Sequence, residues 1–282
     1  MQHAPTISLV ITTYDRPDAL EVVVDACFAQ DDKNFEIIIA DDGSTANTRQ
    51  CVQRLRKRAP VPFEYVWQPH QGFRAAMLRN RGTLAAHGDY IVFLDGDCIP
   101  QHDFIARHRV LAQQGCLVSG SRVLLSPALT ERVLGERIHV PGIGLADKVR
   151  WRARGDINKL LQLVVRWPDV ARVRRGFSWR RIKACNLGVW RADLERVNGF
   201  DESFHGWGHE DADLVVRMFH AGIRRKDGAY ATEVFHLWHP QAEREREAAN
   251  RRTVIERAAS QVILAEKGLK ERRSTRRARP VS

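Results

Sequence analysis

The sequence predicts an α/β fold built on a doubly wound sheet, and three observations carry that prediction. Short apolar, β-branched runs alternate with helical stretches over the first 125 residues, which is the pattern of βαβ units. Ile37-Ile38-Ile39 is apolar at consecutive positions, as in a strand covered on both faces. Polar residues gather just past the strand ends, at Thr12 to Pro17, Asp41 to Ser44 and Asp95 to Asp97, where open α/β sheets hold ligands.

Taken in order, Ile7 to Ile11 reads as a strand. Asp18 to Ala29 reads as a helix, because Leu20, Val23, Val24, Cys27 and Phe28 recur at helical spacing. Phe35 to Ala40 is the second strand, Thr45 to Ala59 a helix, Phe63 to Trp67 a strand and Ala75 to Ala86 a helix. Tyr90-Ile91-Val92-Phe93 is a buried strand; a helix follows from about Asp103 to Ala112 and a strand around Cys116 to Ser119. The pattern then breaks. Residues 127–182 hold 13 Lys and Arg against 5 Asp and Glu, with Trp151, Trp167 and Trp179 among them. Within that stretch Ile157, Leu160, Leu161, Val164 and Val165 fall at i, i+3, i+4, i+7 and i+8, which predicts a short amphipathic helix. Regular structure resumes at Lys183 to Trp190, with helices at Arg191 to Val197 and Glu210 to Ala221, a strand near Thr232 to Phe235 and a charged helix at Gln241 to Lys267. The charge run Glu271 to Arg279 reads as disordered.

Composition bounds the function. Of 282 residues, 44% are hydrophobic and 28% charged, as in a globular chain with a sizeable core. Lys and Arg number 45 against 34 Asp and Glu, a formal charge of +11, which favours anionic partners. The five cysteines, Cys27, Cys51, Cys98, Cys116 and Cys185, lack C-x-x-C spacing, which argues against a disulfide framework and for a reducing compartment. No stretch approaches the ~20 apolar residues of a membrane span, and Ile7 to Ile11 is too short for a signal-peptide core. Cytoplasmic localisation is expected, with any membrane contact peripheral.

Leu94-Asp95-Gly96-Asp97-Cys98 is the most informative segment. Two carboxylates flanking a glycine just past a buried strand offer hard oxygen ligands to Mg²⁺ or Mn²⁺, which in turn clamp a diphosphate. Asp and Gly also suit ordinary turns. In a parallel sheet the ends of the first two strands lie beside this turn. A carboxylate there can accept the N3–H of a uracil and Tyr14 can stack on a base, while Asp41 to Ser44 also suits a helix N-cap.

Val10-Ile11-Thr12-Thr13-Tyr14-Asp15-Arg16-Pro17, then Asp41-Asp42-Gly43-Ser44, then Gly72-Phe73-Arg74-Ala75-Ala76 with Arg79-Asn80-Arg81-Gly82, then Asp95-Gly96-Asp97, resembles glycosyltransferase family 2. The resemblance covers about residues 5 to 125 and resumes at about 183 to 240. It implies the GT-A fold, a Rossmann-like mixed sheet flanked by helices, here with a basic helical insertion and a C-terminal helix. One domain is expected over residues 1–240, with a donor-binding half at about 5–125, the insertion at about 127–182 and an acceptor and catalytic half at about 183–240; residues 241–282 form a helix and basic tail. The resemblance also implies a nucleotide-sugar donor, inversion at the anomeric centre, and Mn²⁺ or Mg²⁺ as cofactor. Thr12, Tyr14 and Asp42 match the family's nucleoside contacts, and Arg16 counts with them as donor-binding. Arg74 and Arg79 fall in the segment that approaches base and diphosphate, either one being the inward-facing residue. Asp95 matches the contact to ribose or metal, and Asp97 the metal-bound carboxylate.

A second segment, Gly206-Trp207-Gly208-His209-Glu210-Asp211-Ala212-Asp213, resembles the Trp-Gly-x-Glu-Asp stretch of β-1,4-galactosyltransferases, polypeptide GalNAc-transferases and bacterial chondroitin polymerases. The resemblance implies that Asp211 is the catalytic base or binds the acceptor hydroxyl. An inverting displacement needs one carboxylate opposite the leaving group, and a helix N-terminus favours its ionised form. Glu210 could hydrogen-bond the acceptor, Trp207 could stack on a sugar ring, and Gly208 permits close approach of substrate to backbone. A plain helix start with acidic first-turn residues is the alternative. In Val234-Phe235-His236-Leu237-Trp238-His239-Pro240 the resemblance implies a metal-binding His. His236 and His239 both fit, and His236 is preferred because it ends the strand.

The expected function is thus an inverting, metal-dependent glycosyltransferase with a UDP-sugar donor and a cell-surface glycan or glycolipid acceptor, such as lipopolysaccharide or capsule. The basic middle, with Arg150, Arg152, Arg154, Arg166, Arg172, Arg174, Arg175, Trp151 and Trp167, suits an anionic membrane surface or a solvated subdomain. A basic nucleic-acid-binding protein is the rival from charge, but the acidic strand ends would repel phosphate, so no nucleic acid is expected. A nucleotidyltransferase on a related fold is the second rival, and Thr12 to Pro17 lacks the glycine-rich loop that chemistry usually wants.

Overall fold

The computed structural model describes residues 4–174, 176, 178–180, 182–240 and 244–272. Its elements in chain order are β1 (Ile7–Thr13), α1 (Pro17–Phe28), β2 (Phe35–Asp41), α2 (Ala46–Lys57), β3 (Phe63–Trp67), α3 (Ala75–Ala85), β4 (Tyr90–Asp95), β5 (Cys98–Pro100), α4 (Phe104–Leu111), β6 (Cys116–Ser119), β7 (Ser121–Leu124), α5 (Pro127–Gly135), α6 (Leu145–Ala153), α7 (Leu161–Val164), β8 (Asn186–Trp190), α8 (Arg191–Arg196), α9 (Glu210–His220), β9 (Arg224–Asp227), β10 (Glu233–His236) and α10 (Glu247–Ala258).

Seven strands form a mixed sheet in the order β3-β2-β1-β4-β8-β6-β9. β1 pairs in parallel with β2 and β4, and β2 with β3. β8 runs antiparallel to β4 and β6, so the parallel half is the doubly wound part and the reversal begins at β8. Alternate residues of the buried strands feed two cores. Leu9, Ile11, Ile37, Ile39, Val92 and Leu94 face the core shared with α1 and α2. Val10, Ile38, Ile91 and Phe93 face the other, with Leu78, Leu194, Leu214 and Met218 from α3, α8 and α9. This two-faced burial explains the unbroken apolar run in β2. A second sheet, β5-β10-β7, places β10 between the antiparallel β5 and the parallel β7.

The expected elements of the first 125 residues are present, joined by β5 and β7, which were too short to carry a periodic signal. Three expectations are corrected. The stripe from Ile157 to Val165 is not one helix: Ile157 is buried in an antiparallel bridge to Leu125, and only Leu161–Val164 is helical. Leu161, Val164 and Val165 are exposed. Tertiary pairing at Ile157 and the restriction on Trp167 from Pro168 override the spacing. Regular helix in this region instead lies at α5 and α6, where Trp151 is buried and faces no membrane. The charged helix expected from Gln241 to Lys267 spans only Glu247–Ala258, and Gln241 lies outside the described residues. The start of the expected disordered tail is ordered, since Arg272 forms an ion pair with the buried Glu202; Arg273 to Arg279, like Arg175 earlier, lie outside the described residues.

Candidate active site

The parallel register sets three strand ends side by side: Thr13 pairs with Asp41, and Thr12 with Asp95. The Thr12 hydroxyl donates to Asp95 Oδ1 at 2.9 Å. Asp41 is wholly buried and structural; its Oδ1 accepts the Ser44 N–H at 2.8 Å and its Oδ2 the Tyr65 hydroxyl at 2.7 Å. Asp42 accepts Gln68 Nε2 at 2.5 Å, and burial pushes its carboxyl above the usual range. Gly43 has φ +85°, and a Cβ there would run into the backbone of His70, so the turn needs glycine twice over. The Tyr14 ring stacks on His70 with centroids 4.2 Å apart and planes 13° apart. One face of Tyr14 is therefore already covered. Arg16 pairs with Asp18 at 3.1 Å, and Arg74 binds Gln71 and the Pro69 carbonyl. Both are engaged by their own loops.

Arg79 is the inward-facing arginine of the pair. It is buried, and it donates to Asp95 Oδ1 at 3.2 Å and to Glu210 Oε1 at 2.8 Å. The two acids hold its guanidinium firmly charged, their attraction exceeding the cost of burial. It is a clamp between the β4 end and the start of α9, with both arms occupied by carboxylates.

The next cluster sits on the small sheet. His236 of β10 lies opposite Cys98 of β5, and the Leu237 N–H donates to the Asp97 carbonyl at 2.9 Å. This pairing brings His236 Nε2 to 3.8 Å from Asp97 Oδ1, while His239 Nε2 lies 3.3 Å from Asp97 Oδ2. His239 Nδ1 is 2.7 Å from the Pro240 carbonyl; a proton there leaves Nε2 as a lone-pair donor. Burial pushes the His236 imidazole below its usual range, against the pull of Asp97. One carboxylate and two imidazoles are donors of the kind that suits Mn²⁺.

The Trp-Gly loop leads into α9 through left-handed backbone at Gly206 (φ +74°), Gly208 (φ +99°) and the non-glycine His209 (φ +74°). Positive φ at His209 is unusual and turns the chain so that the first helical residues face inward. Glu210 meets Arg79. Asp211 Oδ2 accepts the Ala184 N–H at 3.2 Å. Its carboxyl is pushed up to about 6, chiefly by burial and then by Glu210, against the lowering charges of Lys183 and Arg79. The helix terminus favours the ionised form, while burial and Glu210 raise the pH at which it is reached. Asp213, two residues on, is wholly buried and takes Arg217 and Arg257 at 2.8 and 2.6 Å. It locks α9 to α10.

Asp95, Glu210 and Asp211 line one cleft of about 200 Å³, with Trp179, Lys183, Trp207, Gly208 and Arg122 around them. Trp207 carries Arg244 at 4.5 Å and Lys183 at 5.9 Å from its ring centre. Four of these residues were not singled out from sequence: Arg122, Lys183, Trp179 and, beside Tyr14, His70. Arg122 and Lys183 lie in segments without motif, and only the fold brings them in. His70 follows the end of β3, so its position past a strand was the one available signal. Of the donor-binding set, Thr12, Arg79 and Asp95 form one connected cluster. Tyr14 and Asp42 form another around His70, which the Arg74 backbone joins through Asp42, and Arg16 is held apart by its own loop.

Comparison with known proteins follows the geometry. The profile of "Glycosyl transferase family 2" matches residues 8–189, running through the basic middle where no resemblance was read. A profile described as "N-terminal domain of galactosyltransferase" matches residues 170–240, which contain the Trp-Gly loop and both histidines. A validoxylamine A glucosyltransferase of Streptomyces hygroscopicus subsp. jinggangensis is 29% identical over 78% of this chain and 53% of its own length. A chondroitin synthase of Pasteurella multocida is 28% identical over 80% of the chain and 24% of its length. The chain thus spans about half, or less, of the length of these relatives. Among solved structures, a mannosyltransferase from Pyrobaculum calidifontis in complex with GDP-Man and Mn²⁺ superposes with a TM-score of 0.58, at 17% identity, over 91% of this chain and 64% of that one. GalNAc-T7 with UDP, GalNAc and Mn²⁺ superposes with 0.64, at 13% identity, over 91% and 48%. Such likeness fixes the fold as GT-A.

Proposed function

The chain belongs to glycosyl transferase family 2, and from that premise we propose that it is an inverting, metal-dependent enzyme. It moves a sugar from a UDP-type donor to a hydroxyl of a glycan or glycolipid. The observation that carries this reading is that Asp95, two residues from the Asp97–His236–His239 cluster, and Asp211 line the same cleft.

Asp97, His236 and His239 would hold the cation. When bound, Mn²⁺ or Mg²⁺ supplies neutralisation of the charge that grows on the departing diphosphate. Asp211 takes the proton of the acceptor hydroxyl, whose oxygen bonds to the anomeric carbon as the bond to the diphosphate breaks. A single carboxylate base on the acceptor side suits inversion, and the second, acidic carboxylate that glycosidases use is not needed. Arg79 holds Asp95 and Glu210 in place. Tyr14, with Asp42 beside it, offers its open face to the base. Trp207 and Gly208 form the acceptor wall, where Lys183 and Arg244 flank the indole.

The names of the relatives support a carbohydrate acceptor, and we extend this to a cell-surface glycan such as lipopolysaccharide or capsule. Among the described residues no helix is long and apolar enough to cross a membrane. Leu161, Val164, Val165, Trp167 and Val170 are each exposed within one ten-residue stretch, and with the basic residues nearby in sequence they support peripheral contact with an anionic inner-membrane surface from the cytoplasmic side. Many arginines behind the net charge are spent in internal pairs, Arg79, Arg172, Arg217 and Arg257 among them, which speaks against a nucleic-acid surface. The test is donor turnover across a panel of nucleotide sugars with Mn²⁺ and with chelator. One sugar donor consumed only with metal supports the reading; no turnover of any, or turnover undiminished by chelator, overturns it. Liposome co-sedimentation at physiological salt decides the membrane contact.

A further inference from the structure

The cluster on the small sheet contains a ligand that the proposed hard cation does not call for. Ligand atoms of Asp97, Cys98 and His236 all lie within 4.8 Å of one another. Cys98 Sγ is 3.4 Å from Asp97 Oδ1, and His236 Nε2 is 3.8 Å from the same oxygen. In a tetrahedral site with metal–sulfur near 2.3 Å and metal–oxygen near 2.0 Å, the sulfur and oxygen donors stand ~3.5 Å apart, so the Cys98–Asp97 edge already matches. The antiparallel register that sets His236 opposite Cys98 puts both side chains on one face of the sheet. His239 Nε2 stands 3.3 Å from the other Asp97 oxygen, at the edge of this three-ligand group. The Cys185 thiol lies in hydrogen-bond contact with Cys98. Asp97 and His236 keep 19% and 14% of their side-chain surface open, which gives a metal its way in to the buried sulfur.

We propose that Asp97, Cys98 and His236 form a mixed oxygen, sulfur and nitrogen site for a thiophilic divalent cation of the zinc and cadmium class. Thiolate is a soft ligand, and affinities at such sites rise from Mn²⁺ toward Zn²⁺. On binding, the Cys98 sulfur bonds to the metal and its proton leaves to solvent; no electron moves. The site shares Asp97 and His236 with the hard cation of the proposed reaction, so the two metals exclude each other. Metal binding itself is independent of sugar transfer and is read without donor.

The probe is Cd²⁺, titrated into metal-stripped full-length protein and followed by the ultraviolet thiolate-to-cadmium charge-transfer band. The wild type should develop the band with one equivalent of Cd²⁺, and excess Mn²⁺ should raise the Cd²⁺ concentration needed. Cys98→Ser should abolish the band and weaken Zn²⁺ binding at least ~10-fold, while Cys27→Ser on α1 keeps it. Cys98→Ala gives the same reading should the serine variant fail to fold. No band in the wild type, or a band undiminished without the Cys98 sulfur, overturns the inference. Absence of sugar transfer with the band present would count against the enzymatic reading alone.

Discussion

Arg79 and Glu210 stand 131 residues apart in sequence and are joined by a 2.8 Å ion pair. The other arm of the guanidinium holds Asp95 at 3.2 Å, so one buried cation ties the metal-side strand end to the helix that carries Asp211. Breaking a buried pair costs ~3–5 kcal/mol because a charge is left unmatched. With Asp95 partly exposed, Arg79→Met should lose ~3 kcal/mol in urea unfolding. Arg79→Lys keeps the charge but cannot span both acids; it should unfold closer to wild type yet bind donor ~10-fold more weakly. Equal stability and donor affinity in both variants would remove Arg79 from this role.

The aspartates of α9 should behave oppositely. Asp211 has a folded pKa near 6, above its ordinary value of 3.8. The native state thus binds more protons than the unfolded one between these values, and Asp211 costs stability as pH rises through 6. Asp211→Asn removes that cost and should raise stability at pH 7.5 by up to ~3 kcal/mol. Asp213→Asn strips the carboxylate from the buried Arg217 and should destabilise by ~3–5 kcal/mol. Thermal melts of both variants at two pH values check the pair.

The same shift sets the pH profile. Asp211 accepts a proton only when ionised, so the rate should fall as pH drops below about 6, tenfold per unit. A pH-rate curve flat down to pH 5 would exclude Asp211 as the group that titrates.

Metal affinity should follow exposure. The His236 side chain is 14% exposed against 37% for His239, so His236→Ala should weaken Mn²⁺ binding more than His239→Ala. Asp97→Ala should exceed both, by ~10–100-fold or more. Isothermal titration of Mn²⁺ into each variant orders them.

Legibility in the sequence followed the range of the interactions. The strands β1, β2 and β4 and the three acidic strand ends were readable because a two-sided sheet imposes largely apolar runs and the chain must turn where they stop. The Trp-Gly loop and the histidine pair were readable through local motif. Asp41, Asp42 and Asp213 show the limit: identical side chains differ in role because one caps a turn, one accepts from Gln68 beside His70 and one balances Arg217 and Arg257. Arg122, Lys183 and His70 entered the site through strand pairing and loop return, which no window of sequence contains. The Ile157–Val165 stripe failed for the reverse reason, since a tertiary bridge at Ile157 outweighed a helical pattern.

The most direct measurement is single-turnover sugar transfer by Asp211→Asn, with donor affinity determined on the same preparation. A lost general base should slow transfer ~10²–10⁴-fold while donor binding stays within ~3-fold of wild type. Transfer at the wild-type rate would contradict the assignment of Asp211, and with it the proposed chemistry of the cleft.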